Sequence, residues 1–256
     1  MRSVVGILSI VAIVLSISGC NNVSAKQTRS EALSSPRQYI ILLDLSMSRS
    51  AEARKEGVDY LDRLSNGLHF GDRVTILQVQ QTGLLDHPKH WTHLIPMPVD
   101  PSYVTSGDNK HLVAEQESVR NAFKVLSELP PGDKVLHTDL FTTLNLSGEY
   151  AHDFSTRRTT IILLSDMLQS SNGIEMEHLK RMPQAGWVDT QKGMGLIPKL
   201  SGACIVVVGA DATTLEGARI RDFWQSYFSA AGTNLLAANY RATPPTDGSA
   251  TCESEQ

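Results

Sequence analysis

Little in this chain of 256 residues points toward nucleic acid. It has 23 lysines and arginines against 27 aspartates and glutamates, a formal net charge of -4, and so lacks the basic stripe that a phosphate backbone demands. Cysteine is scarce: there are three, none in a C-x-x-C pair, which removes zinc ribbons and thioredoxin-type redox motifs. G-x-S-x-G elbows, Walker phosphate loops and G-x-G-x-x-G turns are all missing, so nucleotide-binding enzymes and elbow hydrolases find no support. No internal repeat is present. The longest apolar run, residues 4–17, falls short of the ~20 residues a membrane span needs.

What is there begins with that run. Arg2 supplies a positive charge before it, and Ser18, Gly19 and Cys20 follow it, the layout of a secretory signal peptide. The ending Ser18-Gly19-Cys20 resembles the lipobox of bacterial lipoproteins. That resemblance implies cleavage after residue 19 and a Cys20 that carries acyl chains, two or more of which anchor stably. Asn21, rather than aspartate, then favours the periplasmic side of the outer membrane if the cell is Gram-negative. Residues 20–36 are expected to be a flexible tether, residues 37–242 a single domain, and residues 243–256 a disordered polar tail. Cys204 opens the apolar run Cys204-Ile205-Val206-Val207-Val208. It is expected either as a buried small residue or, in an oxidising envelope, as the disulfide partner of Cys252.

Within 37–242, short apolar runs alternate with amphipathic stretches. Strands are predicted at 38–43, 73–80, 159–164 and 203–208, with a last one at 235–240. Helices are predicted at 51–64 with Ser50 as N-cap, at 117–129, after Thr138, and behind a Thr213/Glu216 capping box. The last of these carries Ile220, Phe223, Trp224, Tyr227 and Phe228 and closes at Gly232. Strands apolar on both faces, alternating with helices, imply an α/β fold: a doubly wound, mostly parallel sheet covered on both sides. Two long connections, 82–110 and 170–202, are expected to be functional or to hold small elements of their own.

Ligands of such sheets sit outside the carboxyl ends of the strands. Three polar groups are delivered to that edge. The first strand ends in Asp44-Leu45-Ser46-Met47-Ser48, the middle segment offers His137-Thr138-Asp139-Leu140, and the 159–164 strand runs into Asp166. In an extended turn, positions 44, 46 and 48 point the same way, so one carboxylate and two hydroxyls converge. A hard cation takes several oxygen ligands of this kind.

Asp44-x-Ser46-x-Ser48, a later Thr138-Asp139-Leu140 and a strand-end Asp166 together resemble the metal-ion-dependent adhesion site of a von Willebrand factor A-type domain. The likeness runs from about residue 37 to residue 241. It implies a six-stranded sheet with one short antiparallel edge strand. It also implies one ion, Mg²⁺ or alternatively Mn²⁺ or Ca²⁺, touched by Ser46, Ser48 and Thr138 and balanced by Asp44 and Asp166. The implied partner is a protein that offers an acidic side chain to the ion. On this reading the protein is a binding module rather than an enzyme, and it meets the membrane only through its lipid.

Several competitors stand beside that set. Thr142 and Thr143 rival Thr138 for the threonine role. A metal-dependent hydrolase on the same site would need His137 or Asp139 as base, and a structural envelope subunit would keep the site as a vestige. The stretch Asp86-His87-Pro88-Lys89-His90-Trp91-Thr92-His93 is expected to be a surface loop rather than a transition-metal site, since residues three apart on an extended chain face opposite ways.

Overall fold

The computed structural model describes residues 35–46, 48–79, 89–128, 136–153 and 156–246. The expected signal peptide, Cys20, most of the expected tether, Cys252 and most of the expected C-terminal tail lie outside these. Six strands form one sheet: β1 Arg37–Asp44, β2 Arg73–Val79, β3 His90–Leu94, β4 Arg158–Leu164, β5 Cys204–Val208 and β6 Tyr240–Arg241. Their spatial order is β3-β2-β1-β4-β5-β6. All neighbours are parallel except β3, which pairs antiparallel with β2. The chain therefore builds outward from β1 to one side, then crosses back to place β4 on the other. The switch point lies between β1 and β4.

The all-apolar strands are explained by helices on both faces. Ile40 and Leu42 of β1, Ile161 and Leu163 of β4, and Ile205 and Val207 of β5 share a core with helices α3 (Leu140–His152) and α5 (Leu215–Ala230). The alternate residues Tyr39, Ile41, Leu43, Ile162, Leu164, Val206 and Val208 face α1 (Ala51–Asn66) and α2 (Ser106–Leu126). Successive side chains on a strand point to opposite faces, so a doubly covered strand has no polar face to show.

Ser50 caps α1 as expected, accepting from the Ala53 N–H at 3.0 Å. The buried stripe of α1 is Gly57, Tyr60, Leu61 and Leu64, leaving Val58 on its flank. Helix α2 begins at Ser106, well before the predicted start at residue 117. Thr105 and Asp108 form a capping box there, but only Val119 and Phe123 are fully buried, with Leu112, Ala122 and Leu126 partly buried against the same core. Helix α5 is capped by Thr214, not Thr213. Thr213 donates both its N–H and its hydroxyl to Asp211 at 2.7 Å, which leaves the next residue to accept from Gly217.

Two further expectations change, and one about the long connections holds. His90, Trp91, Thr92, His93 and Leu94 are an edge strand, not a loop; His93 pairs with Glu115 at 2.5 Å and stacks on Trp91. Residues 235–240 give no full strand: a 3-10 turn at Ala237–Asn239 precedes the two residues of β6. The long 170–202 connection carries a 3-10 turn at Glu177–Leu179 and a short helix α4, Trp187–Gly193. From fully buried Met176 to Leu200 it packs on the α3/α5 core, with Trp187 against Phe141 and Phe223. It is mainly a cover for that face. Cys204 is disulfide-bonded. No described helix is long and apolar enough to cross a membrane.

Candidate metal centre

The carboxyl ends of β1 and β4 bring four of the five expected residues together. Asp44 is fully buried. One of its oxygens accepts from the Ser46 N–H at 2.9 Å, which folds the chain into a turn right after the strand. The other accepts from the Ser165 hydroxyl at 2.6 Å, across the sheet. The turn sets the Ser46 and Ser48 hydroxyls 2.8 Å apart, with Ser46 buried and Ser48 at the exposed rim. The Ser48 hydroxyl also bonds to Asp166.

Asp166 occupies the next turn, where its carboxylate accepts from the Leu168 N–H at 3.0 Å. Burial, reinforced by the charge of Asp44, pushes its carboxyl up to about 6 against the opposing pull of the Ser48 and Leu168 hydrogen bonds and of Arg49. Met167 takes a left-handed backbone conformation, φ 64°. For a side chain that is uncommon, and the turn is braced from two sides. Its N–H donates to the Ser165 hydroxyl at 2.9 Å, and its carbonyl accepts from the Trp224 indole at 2.9 Å.

Thr138, the fifth residue, is buried in the loop that enters α3. Its backbone is pinned to the chain just past Asp166: its N–H donates to the Ser170 hydroxyl at 2.8 Å, and its carbonyl accepts from the Ser170 N–H at 3.0 Å. Its rivals are occupied elsewhere. Thr142 donates its N–H and hydroxyl to Asp139, and the Thr143 hydroxyl bonds back to the Asp139 carbonyl at 2.9 Å. Asp139 is the N-cap of α3 and takes further bonds from Gln169 and Asn172. His137 is exposed.

Sequence reasoning missed four residues that shape this edge. Ser165 holds Asp44, and Trp224 holds the Met167 turn. Gln169, fully buried, accepts from the Leu140 N–H at 2.7 Å and so ties the Thr138 loop to the β4 turn. Arg49 lies between the two strand ends. Ser165 left a trace as the polar residue that closes an apolar run, and Trp224 only as part of a core stripe.

Two carboxylates and a cluster of hydroxyls, all oxygen donors, form a set suited to a hard cation that keeps some of its water. The hydroxyl oxygens of Ser46 and Ser48 retain lone pairs, and the two carboxylates need a positive charge close by. Among the described residues, no three or more histidines, cysteines, aspartates or glutamates gather into a metal cluster; the candidate site is built on hydroxyls instead.

No family model and no curated protein matches the chain. Solved structures that resemble it include an aerotolerance-related membrane protein from Bacteroides fragilis NCTC 9343 carrying multiple mutations to serine. It is 14% identical with a TM-score of 0.42, over 83% of this chain and 93% of that one. The pilus adhesin SpaC from Lactobacillus rhamnosus GG is 14% identical, TM-score 0.48, over 82% of this chain and 29% of the adhesin. A von Willebrand factor type A structure from Catenulispora acidiphila is 13% identical, TM-score 0.36, over 77% of this chain and 42% of that one. These likenesses are distant. The six-stranded α/β fold is established by the chain's own strand order and register, which include the single antiparallel edge strand that the motif resemblance implies.

Proposed function

We propose that this domain is a protein-binding module whose recognition face centres on one divalent cation, Mg²⁺ or Mn²⁺ (with Ca²⁺ the alternative), held by Asp44, Ser46, Ser48, Thr138 and Asp166. The observation that carries the reading is the pair of serine hydroxyls 2.8 Å apart, set beside two carboxylates at the sheet's switch point. Ser46, Ser48 and Thr138 are neutral ligands in this reading, while Asp44 and Asp166 supply the charge. With few anionic ligands, a bound ion keeps the electrophilic character needed to accept an aspartate or glutamate from a partner. Adhesion is preferred to hydrolysis because His137 is exposed and Asp139 is committed to the start of α3.

The same proposal places the domain in the cell envelope, anchored by acyl chains on Cys20. A disulfide at Cys204 fits an oxidising compartment. Three measurements test it. Titration calorimetry with Mn²⁺ and Mg²⁺ is expected to show one site in the wild type and none in Asp44→Ala. Capture of envelope proteins is expected to be lost both with chelator and in that variant, and capture untouched by either sinks the adhesive reading. Labelled palmitate is expected to enter the wild type but not Cys20→Ala.

A further inference from the structure

Arg49 belongs to no motif, yet its side chain is built into the floor of the edge. It is 5% exposed. One terminal nitrogen donates to the carbonyls of Asp44 at 2.9 Å and Leu164 at 2.8 Å, and so links the last residues of β1 and β4; the other donates to Ala53 at 3.1 Å. Two glycines lie beside it, and Gly209 is the one whose side chain would crowd it. A Cβ on Gly57 would stand 3.6 Å from the guanidinium and 3.2 Å from Leu164, and a Cβ on Gly209 would stand 3.3 Å from the guanidinium. Nε is buried without an acceptor.

A buried charge is costly unless opposite charge offsets it. The opposite charges that Arg49 senses are Asp44 and Asp166, but each hydrogen bond its side chain makes ends on a backbone carbonyl rather than on either carboxylate. The carboxylates spend their own bonds on Ser46, Ser48, Ser165 and Leu168. The guanidinium thus offsets their charge through space without taking the ion's place among the hydroxyls.

Resting on the cation reading above, we propose that Arg49 is a fixed internal countercharge that sets how tightly the site holds its ion. It lowers by one the negative charge presented to an incoming dication, at an edge where Arg54 also bonds to the Ser46 carbonyl. It also ties the two carboxylate-bearing strand ends together before any ion arrives. The site is thereby preassembled, and it binds less tightly than its ligand set alone would allow.

The test compares Arg49→Gln, Arg49→Met and Arg49→Lys with wild type by Mn²⁺ titration calorimetry and by thermal unfolding with and without Mn²⁺. The two neutral variants are expected to bind Mn²⁺ on the order of tenfold more tightly, and Arg49→Lys to stay within about twofold of wild type. Mn²⁺ is expected to raise Tm more in Arg49→Gln than in wild type, because an ion that binds only the folded state stabilises it in proportion to affinity. Neutral variants that fold only with Mn²⁺ present also support the proposal. Neutral variants that fold but bind no more tightly than wild type overturn it and leave Arg49 as a clamp; so do variants that stay unfolded even with Mn²⁺. Absence of Mn²⁺ binding in wild type and all variants overturns the cation reading itself, a result distinct from normal wild-type binding with no charge effect.

Discussion

Two aspartates, Asp44 and Asp72, are both fully buried at the margins of the same sheet, and they are different things. Asp72 stands at the amino-terminal margin, just before β2. One of its oxygens accepts from the Arg37 N–H at 2.8 Å and the other from the His69 N–H at 2.9 Å. Burial raises its carboxyl, and those two bonds pull it back. Its polar neighbours are similarly spoken for: Gln38 donates to the Tyr150 carbonyl, and the Thr159 hydroxyl bonds to Gln38. Asp44 also accepts two bonds, but its company is a second carboxylate and hydroxyls that still have lone pairs to give. Burial of a carboxylate does not mark a site; unspent donor capacity around it does.

The largest expected effect separates the two directly. Asp44→Asn is expected to weaken Mn²⁺ binding on the order of 100-fold while the fold remains, since the amide preserves shape but not charge. Asp72→Ala is expected to leave Mn²⁺ affinity unchanged and to cost about 3 kcal/mol in denaturant unfolding, because two buried N–H groups lose their acceptor. Reversal of this pattern breaks the comparison. A smaller effect is expected for Trp224→Phe, which removes the indole donor from the Met167 carbonyl. Stability should fall by about 1 kcal/mol, and calorimetry should show Mn²⁺ affinity reduced several-fold as the turn that aims Asp166 loosens.

The gentlest test is pH. Asp166, held at about 6, keeps its proton in the folded chain where the unfolded chain, with an ordinary value near ~3.9, has lost it. A group raised in this way contributes stability at low pH and loses it on the way up. The metal-free protein is therefore expected to lose stability as pH climbs from about 4 to about 6 and to level off above. Asp166→Asn should flatten that stretch. Over the same range Mn²⁺ binding should tighten, as ion and proton compete for one carboxylate.

The central strands, and the candidate residues placed at their ends, were legible because they are local patterns: an apolar run that ends in an acid, hydroxyls two apart, a threonine before a helix. The bracing was not legible, because it joins distant parts of the chain. Ser165 reaches Asp44 across 121 positions, and Arg49 reaches Leu164 across 115. Trp224 read correctly as a core residue, but nothing in its helical stripe announced that its indole holds the turn after Asp166. The first turns of α2 were invisible because they offer the core a single partly buried residue, Leu112. Strand β3 was missed because it lies at the edge, half-exposed along its length, where burial imposes no strong pattern.

The placement of β1 has a mechanical consequence. The chain enters the domain at Arg37, the start of this strand, and the DLSMS turn that would hold a partner leaves from its other end. Tension between whatever precedes residue 37 and whatever grips the site runs lengthwise through eight residues. On both sides those residues are bonded to parallel neighbours, β2 and β4. Pulling along such a strand shears two ladders at once instead of unzipping one bond at a time. Were the domain tethered and gripped as proposed, the load would run along this strand rather than through the helices on either face.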